Sequence, residues 1–519
     1  MFDFGTTRPV AAQSAIMSHH TVRRAIAFLA VAAVSAVWFD STAVRARAQA
    51  SAPVDPAARQ AYEFVMARKD EDAAAVVRYR PGYEFWQHVF TIPDGYIAYG
   101  SAVDGRLLVV FPTKGDWLTD AEWKDPSLAN LLDGRRLATR LDPKRDQVAA
   151  ILEQAVGPVL HNPTRGNFVR PQTERYGMFL KEWGTIYERF GVPADIGLSQ
   201  AMLESGFHGT RRSRAGAIGF CQWLTVNWNR LKRLSPNVIE AFNQTTQASH
   251  CAAYLTILAT RYRSFVPALS EHHSGGTNVG RVLVNGGKLG GDNVRDRYFL
   301  GSQFARDLRE IALYRYRDIY RTYGPRSALY AEMVFGNTQK VAGIRETTRQ
   351  AEIFAMRTAR PIAIGEIMRR TKLSEDEVRR FNPSLRLQVP ARATLYLPLY
   401  VKEFGANVTF WHLPASASYA AVLNDFVRLD VGEEQWDDRA FEPVLRGFQK
   451  RFAETKTEEG DVMATVLAYA IDETYANRRG AILAEFRTSD KIQALFEQAV
   501  AERAAARTAQ VSPPRETGR

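Results

Sequence analysis

The chain has 519 residues, enough for three or four domains of about 150 residues, each able to bury its own core. Apolar residues make up 46 %, charged residues 24 % and aromatics 11 %, a balance that excludes a wholly disordered chain, a collagen-like chain and a disulfide-dense miniprotein. The net charge of +12 suits a polyanionic partner, but no recognition helix, RNP-like strand or dense Lys/Arg block is present, so no nucleic-acid partner is expected.

Arg23-Arg24 precede an apolar run over residues 25–39, and Ala48-Gln49-Ala50 follows. A positive flank, a short apolar stretch and a small-x-small site predict an export signal over residues 1–50, cleaved before Ser51. The run is too short to span a membrane comfortably, so the mature chain is expected to have no integral span. No cysteine precedes Cys221, which leaves no lipoprotein anchor. The expected location is periplasmic or wall-associated.

Residues 51–82 read as a polar, Ala-rich helical entry. Residues 83–117 then show short apolar and aromatic runs punctuated by Pro93-Asp94-Gly95 and Asp104-Gly105, which predicts two hairpins. Together they give a small α+β N-terminal module over 51–160. Residues 161–340 are helix-patterned. One helix opens near Pro193 with Asp195 in its first turn, another near Thr245-Thr246, and a long one runs from Tyr298 to Tyr323, stopped by Gly324-Pro325. The Gly-rich residues 274–291 match no phosphate-binding loop. Residues 352–401 form a compact unit of a short strand, two short helices and a second strand, with a capping box between Ser374 and Glu377. Residues 402–505 are helical again, and 506–519 read as a disordered tail. The predicted fold is mainly α and multidomain.

The helix from Pro193 to Glu204 is apolar nearly all round and should be buried. A carboxylate at its end breaks that pattern, and such conflicts mark functional sites. Burial and the helix C-terminus both disfavour the anion, which predicts a raised pKa for Glu204. A protonated Glu is what a glycosidic oxygen needs from a general acid; the plain alternative is a Glu fraying into solvent. Cys221 and Cys251 either form one bridge in an oxidising compartment or, since Cys251 lies on the stripe Cys251, Leu255, Leu258, Tyr262, bury a free thiol. With two distant thiols and no patterned histidines, no metal or cofactor is expected.

Glu204-Ser205-Gly206-Phe207, then Ser213, Ala215-Gly216-Ala217-Ile218-Gly219 and Gln222 resemble the transglycosylase SLT domain of soluble lytic transglycosylases, whose signature runs ESGF and then S-x-x-GA-x-G-x-x-Q. Tyr254-Leu255, Pro267-Ala268-Leu269 and Gly275 extend the similarity over residues 175–325. The resemblance implies a lysozyme-like helical catalytic domain acting on peptidoglycan glycan strands. One Glu would cleave the bond from N-acetylmuramic acid to N-acetylglucosamine, first as acid and then as base toward the muramic C6 hydroxyl, closing a 1,6-anhydro ring. No water is consumed, so a second carboxylate is unnecessary, unlike ordinary glycoside hydrolysis.

Glu204 is then the single acid/base. Ser205 and Gln222 are positioning residues or structural hydrogen-bonders of the Glu helix. Where the family carries A-Y-N-A-G, this chain has Glu271-His272-His273-Ser274-Gly275, so His272 and His273 would face sugar or Glu204. Glu271 is either a solvated Glu near a helix end or, if it faces the cleft, a second carboxylate that would permit plain hydrolysis. Trp223 is the one aromatic offered as a sugar-stacking ligand.

Residues 352–401 resemble a degenerate LysM module, a β-α-α-β unit that binds N-acetylglucosamine chains. The match runs through Leu373-Ser374, Val378, Phe381-Asn382-Pro383, Leu385, Val389-Pro390 and Thr394 to Pro398. Its front loop departs, with Arg360-Pro361-Ile362-Ala363 in place of G-D-T-L. An SLT domain followed by LysM resembles membrane-bound lytic transglycosylases in order. The rival readings are a lysozyme-type hydrolase and a non-catalytic glycan-binding protein.

Overall fold

Asp55 opens the first helix, α1 (Pro56–Tyr79), by accepting from the amides of Ala57 and Ala58, with Pro56 supplying a helix-ready φ. The computed structural model describes residues 55–234, 242–311, 315–316, 329–404, 408–410, 415–476 and 478–511. The export segment and the Gly324-Pro325 helix stop lie outside the described residues. The chain is mainly helical with several small sheets.

After α2 (Phe85–Val89) come β1 (Tyr96–Ser101), β2 (Leu107–Pro112), β3 (Glu122–Trp123), α3 (Leu141–Val156) and β4 (Val159–Pro163). The strands form one antiparallel sheet in the order β3-β2-β1-β4. Of the two expected hairpins, Asp104-Gly105 turns one, between β1 and β2. Pro93-Asp94-Gly95 instead joins α2 to β1, because residues 85–89 bury Phe85, Trp86 and Val89 as a helix. Ile97, Tyr99, Val109, Phe111 and Trp117 pack on Val148 and Leu152 of α3 as a separate core. The β4 strand straddles the boundary expected at 160. Helix α1 packs elsewhere, in the main helical core and against the C-terminal region, where Arg68 Nη2 donates to the Val427 carbonyl at 2.7 Å.

That body comprises α4 (Gly166–Tyr176), α5 (Leu180–Arg189), α6 (Ala194–Ser205), the short hairpin β5 (Ala217–Ile218) and β6 (Trp223–Leu224), α7 (Thr225–Leu234), α8 (Gln244–Tyr262), α9 (Phe265–Ser274), α10 (Gly276–Lys288), α11 (Val294–Ile311), α12 (Tyr330–Phe335) and α13 (Thr338–Thr347). Helix α6 is enclosed as its composition predicts: Ile196, Leu198, Ala201 and Met202 are fully buried. The Gly-rich run folds as α10, and its glycines serve close approach. A Cβ at Gly286 would strike the Arg297 carbonyl, and one at Gly301 would strike that of Val282, so α10 and α11 touch backbone to backbone. Helix α11 begins at Val294, earlier than expected.

Residues 353–398 run β7 (Ile353–Arg357), β8 (Ile362–Ala363), α14 (Ile364–Thr371), α15 (Glu375–Phe381), β9 (Gln388–Val389) and β10 (Thr394–Pro398). Strands β7 and β10 pair antiparallel, and β11 (Val408–Phe410) lines the other edge of β7. The capping box at Ser374 and Glu377 is formed. Phe354, Ile367, Val378, Leu395 and Leu397 make a third core. The opposite face docks on the body through Phe381 against Phe179, ring centroids 4.8 Å apart, and a hydrogen bond from Asn243 Nδ2 to the Phe381 carbonyl at 3.1 Å.

The C-terminal region supplies α16 (Ala417–Val427), α17 (Glu433–Asp437), α18 (Glu442–Glu454), α19 (Glu458–Ala476), α20 (Arg479–Thr488) and α21 (Asp490–Val511). These wrap the body: α16 lies on α1, α19 on α8, α20 on α10 and α21 on α11. Helix α21 runs on into the stretch expected as a disordered tail, where Arg507 reaches Asp307 at 3.1 Å; residues 512–519 lie outside the described residues.

Candidate active site

Helix α6 ends one residue beyond Glu204, where Gly206 takes φ 65° and turns the chain away. That left-handed cap suits glycine, which carries no Cβ. The Glu204 side chain stays within the body and is only 5 % exposed. Tyr330, on α12, donates its hydroxyl to Glu204 Oε1 at 2.5 Å. His273, in the last turn of α9, places Nδ1 3.7 Å from the same oxygen. The His273 and Tyr330 rings are stacked, centroids 4.3 Å apart and nearly parallel at 6°, so the two partners of the carboxylate brace each other.

The expected rise in the Glu204 pKa is corrected by these neighbours. Burial penalises the anion, but the hydrogen bond and charge of His273, attraction to His272 and the Tyr330 hydroxyl outweigh it. They hold the carboxyl below its ordinary value. Burial and the adjacent carboxylate push Tyr330 well up, so it remains a donor. Glu204 is a buried, hydrogen-bonded carboxylate rather than a frayed helix end.

His272 faces the Glu204 block from a different side, with Nε2 2.8 Å from the Cys221 carbonyl. Cys221 is disulfide-bonded to Cys251, Cα atoms 6.2 Å apart, so the bridge rather than the free thiol is formed. It ties the block to α8 next to the histidines.

Ser205 is fully buried, and its hydroxyl is spent on backbone: it meets the Ala201 and Phe220 carbonyls at 3.1 and 3.0 Å and accepts from the His208 amide at 3.1 Å. Of its two readings the structural one fits. Gln222, at φ 51°, donates from Nε2 to the carbonyls of Arg211 at 3.0 Å and Gly219 at 2.9 Å, so it pins the loop after Glu204. Trp223 is corrected from sugar ligand to core residue. It is 4 % exposed and packed among Trp228, Tyr254 and Tyr469, because α19 covers the face a sugar would need.

Glu271 is neither solvated nor a second carboxylate beside Glu204. It is 8 % exposed and held by Arg479 Nη1 at 3.2 and 3.3 Å, by the Tyr262 hydroxyl, and by Arg261 at 3.7 Å. Burial opposes its charge, but Arg479 and Arg261 keep its carboxyl below the usual range. Successive helical residues point about 100° apart. The last turn of α9 therefore sends Glu271 to the C-terminal helices, His272 to the disulfide and His273 to Glu204.

Sequence reasoning missed Tyr330 and Arg479. Neither sits in a motif, and each meets its partner only through the tertiary fold. No protein-family model matches the chain, and no curated protein matches it.

Proposed function

We propose that the chain is an exported peptidoglycan lytic transglycosylase, with Glu204 as its only acid/base. The observation that carries the reading is that, among the described residues, the groups acting on Glu204 are His273, His272 and Tyr330, with no second carboxylate among them. Glu204 ends a buried helix between Tyr330 and His273, while Glu271, the nearest alternative in sequence logic, is engaged by Arg479 and Arg261. A single carboxylate suits an intramolecular ring closure, in which the proton given to the leaving oxygen is recovered from the sugar's own C6 hydroxyl. Two-carboxylate hydrolysis would need a second group free to activate water or attack the sugar.

Before the acid step Glu204 must hold a proton that its neighbours disfavour. A sugar bound against Glu204 would deepen its burial, the one influence already favouring the acid. His273 Nδ1 stands 3.7 Å from the carboxylate, and its stacking on Tyr330 keeps it there. Tyr330 then steadies the carboxylate that remains after the leaving oxygen is protonated.

The disulfide supports an oxidising compartment, in keeping with export. The β-α-α-β order and antiparallel β7–β10 pair support a LysM-like reading of residues 352–401. Its departing loop is occupied internally, with Arg360 bonded to Glu366 at 2.5 and 3.0 Å, which favours a retained scaffold over tight glycan binding.

Mass spectrometry of digested sacculi tests the reaction. Anhydro ends carry the reading, reducing ends indicate a hydrolase, and an intact polymer indicates a binding protein. Glu204→Gln should keep the fold and lower cleavage by about 10²–10⁴; unchanged cleavage would remove Glu204 from the mechanism.

A further inference from the structure

Helix α12 brings Tyr330 to Glu204 with only 6 residues of its own. A helix that short does not hold itself in water, so tertiary contacts must fix where its tyrosine stands. It packs on α6 and α9, which bear Glu204 and His273, and on residues 81–89, which precede the N-terminal sheet.

Glu332, two positions beyond Tyr330, is buried, and its Oε2 lies 2.8 Å from Arg80 Nε. Trp86 donates its indole N–H to Oε1 at 3.2 Å, so each carboxylate oxygen has a partner from residues 80–86. Burial pushes the Glu332 carboxyl up, and Arg80 is the strongest influence against that rise. Arg80 is itself anchored. Nη1 donates to the Tyr79 carbonyl at 2.8 Å and Nη2 to the Ser302 hydroxyl at 3.2 Å, and the guanidinium carbon lies 5.3 Å from the Phe299 ring centroid on α11. Further along the same segment, Lys340 of α13 donates to the Phe90 carbonyl at 2.5 Å and to Thr91 Oγ1 at 2.8 Å. Two positions on a helix point about 200° apart. The face of α12 that meets Arg80 is therefore opposite the one that meets Glu204.

We propose that Arg80 and Glu332 are a positioning pair that holds Tyr330 against Glu204 from the far side of α12. Neither is among the groups that act on Glu204 directly; both work through the tyrosine. Loosening the pair lets Tyr330 draw back from the carboxylate. That removes one of the influences that favour the anion, and Glu204 then keeps its proton to higher pH. The N-terminal segment thereby takes part in setting the proton of a residue more than a hundred positions away. The positioning stands on the geometry alone, while its effect on cleavage rests on Glu204 being the acid.

Carboxyl NMR of the full chain labelled at its glutamates, with Glu204 assigned by its loss in Glu204→Gln, reads the proton directly and needs no substrate. Arg80→Met and Glu332→Gln, the second of which keeps an acceptor for Trp86, should each raise the Glu204 midpoint by roughly half to one pH unit, the worth of one hydrogen bond. Arg80→Lys keeps the charge and should recover part of the shift. In a Tyr330→Phe chain, where the midpoint has already risen, Glu332→Gln should add nothing. Arg189→Met opens a buried ion pair to Glu459, between α5 and α19. It should lower stability and leave the midpoint in place. A midpoint unmoved by Arg80→Met and Glu332→Gln, a further rise in the Tyr330→Phe chain, or an equal rise in Arg189→Met would overturn the pair. Digestion of sacculi is scored separately. A moved midpoint in a chain that cleaves nothing removes the enzymatic reading and keeps the pair, and cleavage with an unmoved midpoint does the reverse.

Discussion

Arg479, the first residue of α20, meets Glu271 of α9 with Nη1 3.2 and 3.3 Å from the two carboxylate oxygens, while its Nη2 donates to the Tyr262 hydroxyl at 2.9 Å and to Glu433 at 2.7 Å. Both side chains are buried. The pair joins the C-terminal helices to the turn that carries His272 and His273. Removing one partner of such a pair strands a buried charge, whereas removing both need not. Arg479→Met should therefore lower stability by about 3–5 kcal/mol, and Glu271→Leu with Arg479→Met should recover part of that loss, since Glu433 and Asp437 lose Arg479 in both variants. Urea midpoints at neutral pH decide it. A double variant as unstable as the single one would mean that the two groups are not coupled.

Tyr330 offers a test of the acid through its pH dependence. Its hydroxyl is one of the groups that lower the Glu204 pKa. Tyr330→Phe keeps the ring stacked on His273 and removes only the hydrogen bond, so the Glu204 pKa must rise. A carboxyl with a raised pKa keeps its proton to higher pH. The limb of the rate profile that falls as Glu204 ionises should accordingly move upward. A profile of kcat/KM against pH reports it; a limb that stays in place, or moves down, would take Tyr330 out of the control of that proton.

The legible parts of the fold were those written in adjacent residues. The capping box at Ser374 and Glu377, the Asp104-Gly105 hairpin and the burial of α6 each depend on a few neighbouring side chains. So does the placing of Glu204 at a helix end. What could not be read is what other elements bring. Tyr330 lies 126 positions from Glu204 and Arg479 lies 208 from Glu271, and no local pattern announces either. The same ignorance of distant partners produced the errors. Trp223 reads as a sugar platform until α19 covers it, Glu271 reads as solvated until Arg479 arrives, and a raised Glu204 pKa follows from burial only while His273 and Tyr330 are left out.

Glu182, on α5, makes a prediction about stability. Burial first, and then the neighbouring Glu352, push its carboxyl from 4.5 up to about 7, against a hydrogen bond from the Ile353 amide. A carboxyl raised in the folded state is neutral in both states below about pH 4.5. It then costs stability as pH rises toward and through 7, because the unfolded chain ionises first. The full cost is roughly 3 kcal/mol above pH 7. Glu182→Gln keeps an acceptor for Ile353 and removes the titration. It should leave stability near pH 4.5 unchanged and raise it at pH 8, as thermal melts at the two pH values will show. A gain of equal size at both would assign the effect to packing instead of charge.

The disulfide links stability to the site itself. Cys221 and Cys251 are 30 positions apart, and opening a loop of that length releases unfolded-state entropy worth about 3.5 kcal/mol. Cys221 also carries the carbonyl that meets His272 Nε2, so the bridge holds one of the two histidines that favour the Glu204 anion. Cys221→Ala with Cys251→Ala should lower the melting temperature and loosen the His272 contact. With less help from His272, Glu204 keeps its proton to higher pH, and the falling limb of the rate profile should shift upward as it does for Tyr330→Phe. His272→Gln with the bridge intact separates the two effects. It should reproduce the shift in pH profile while leaving most of the disulfide's stabilisation in place. If the profile moves only when the bridge is lost, the disulfide acts on the site through the backbone and His272 has no part in setting the proton.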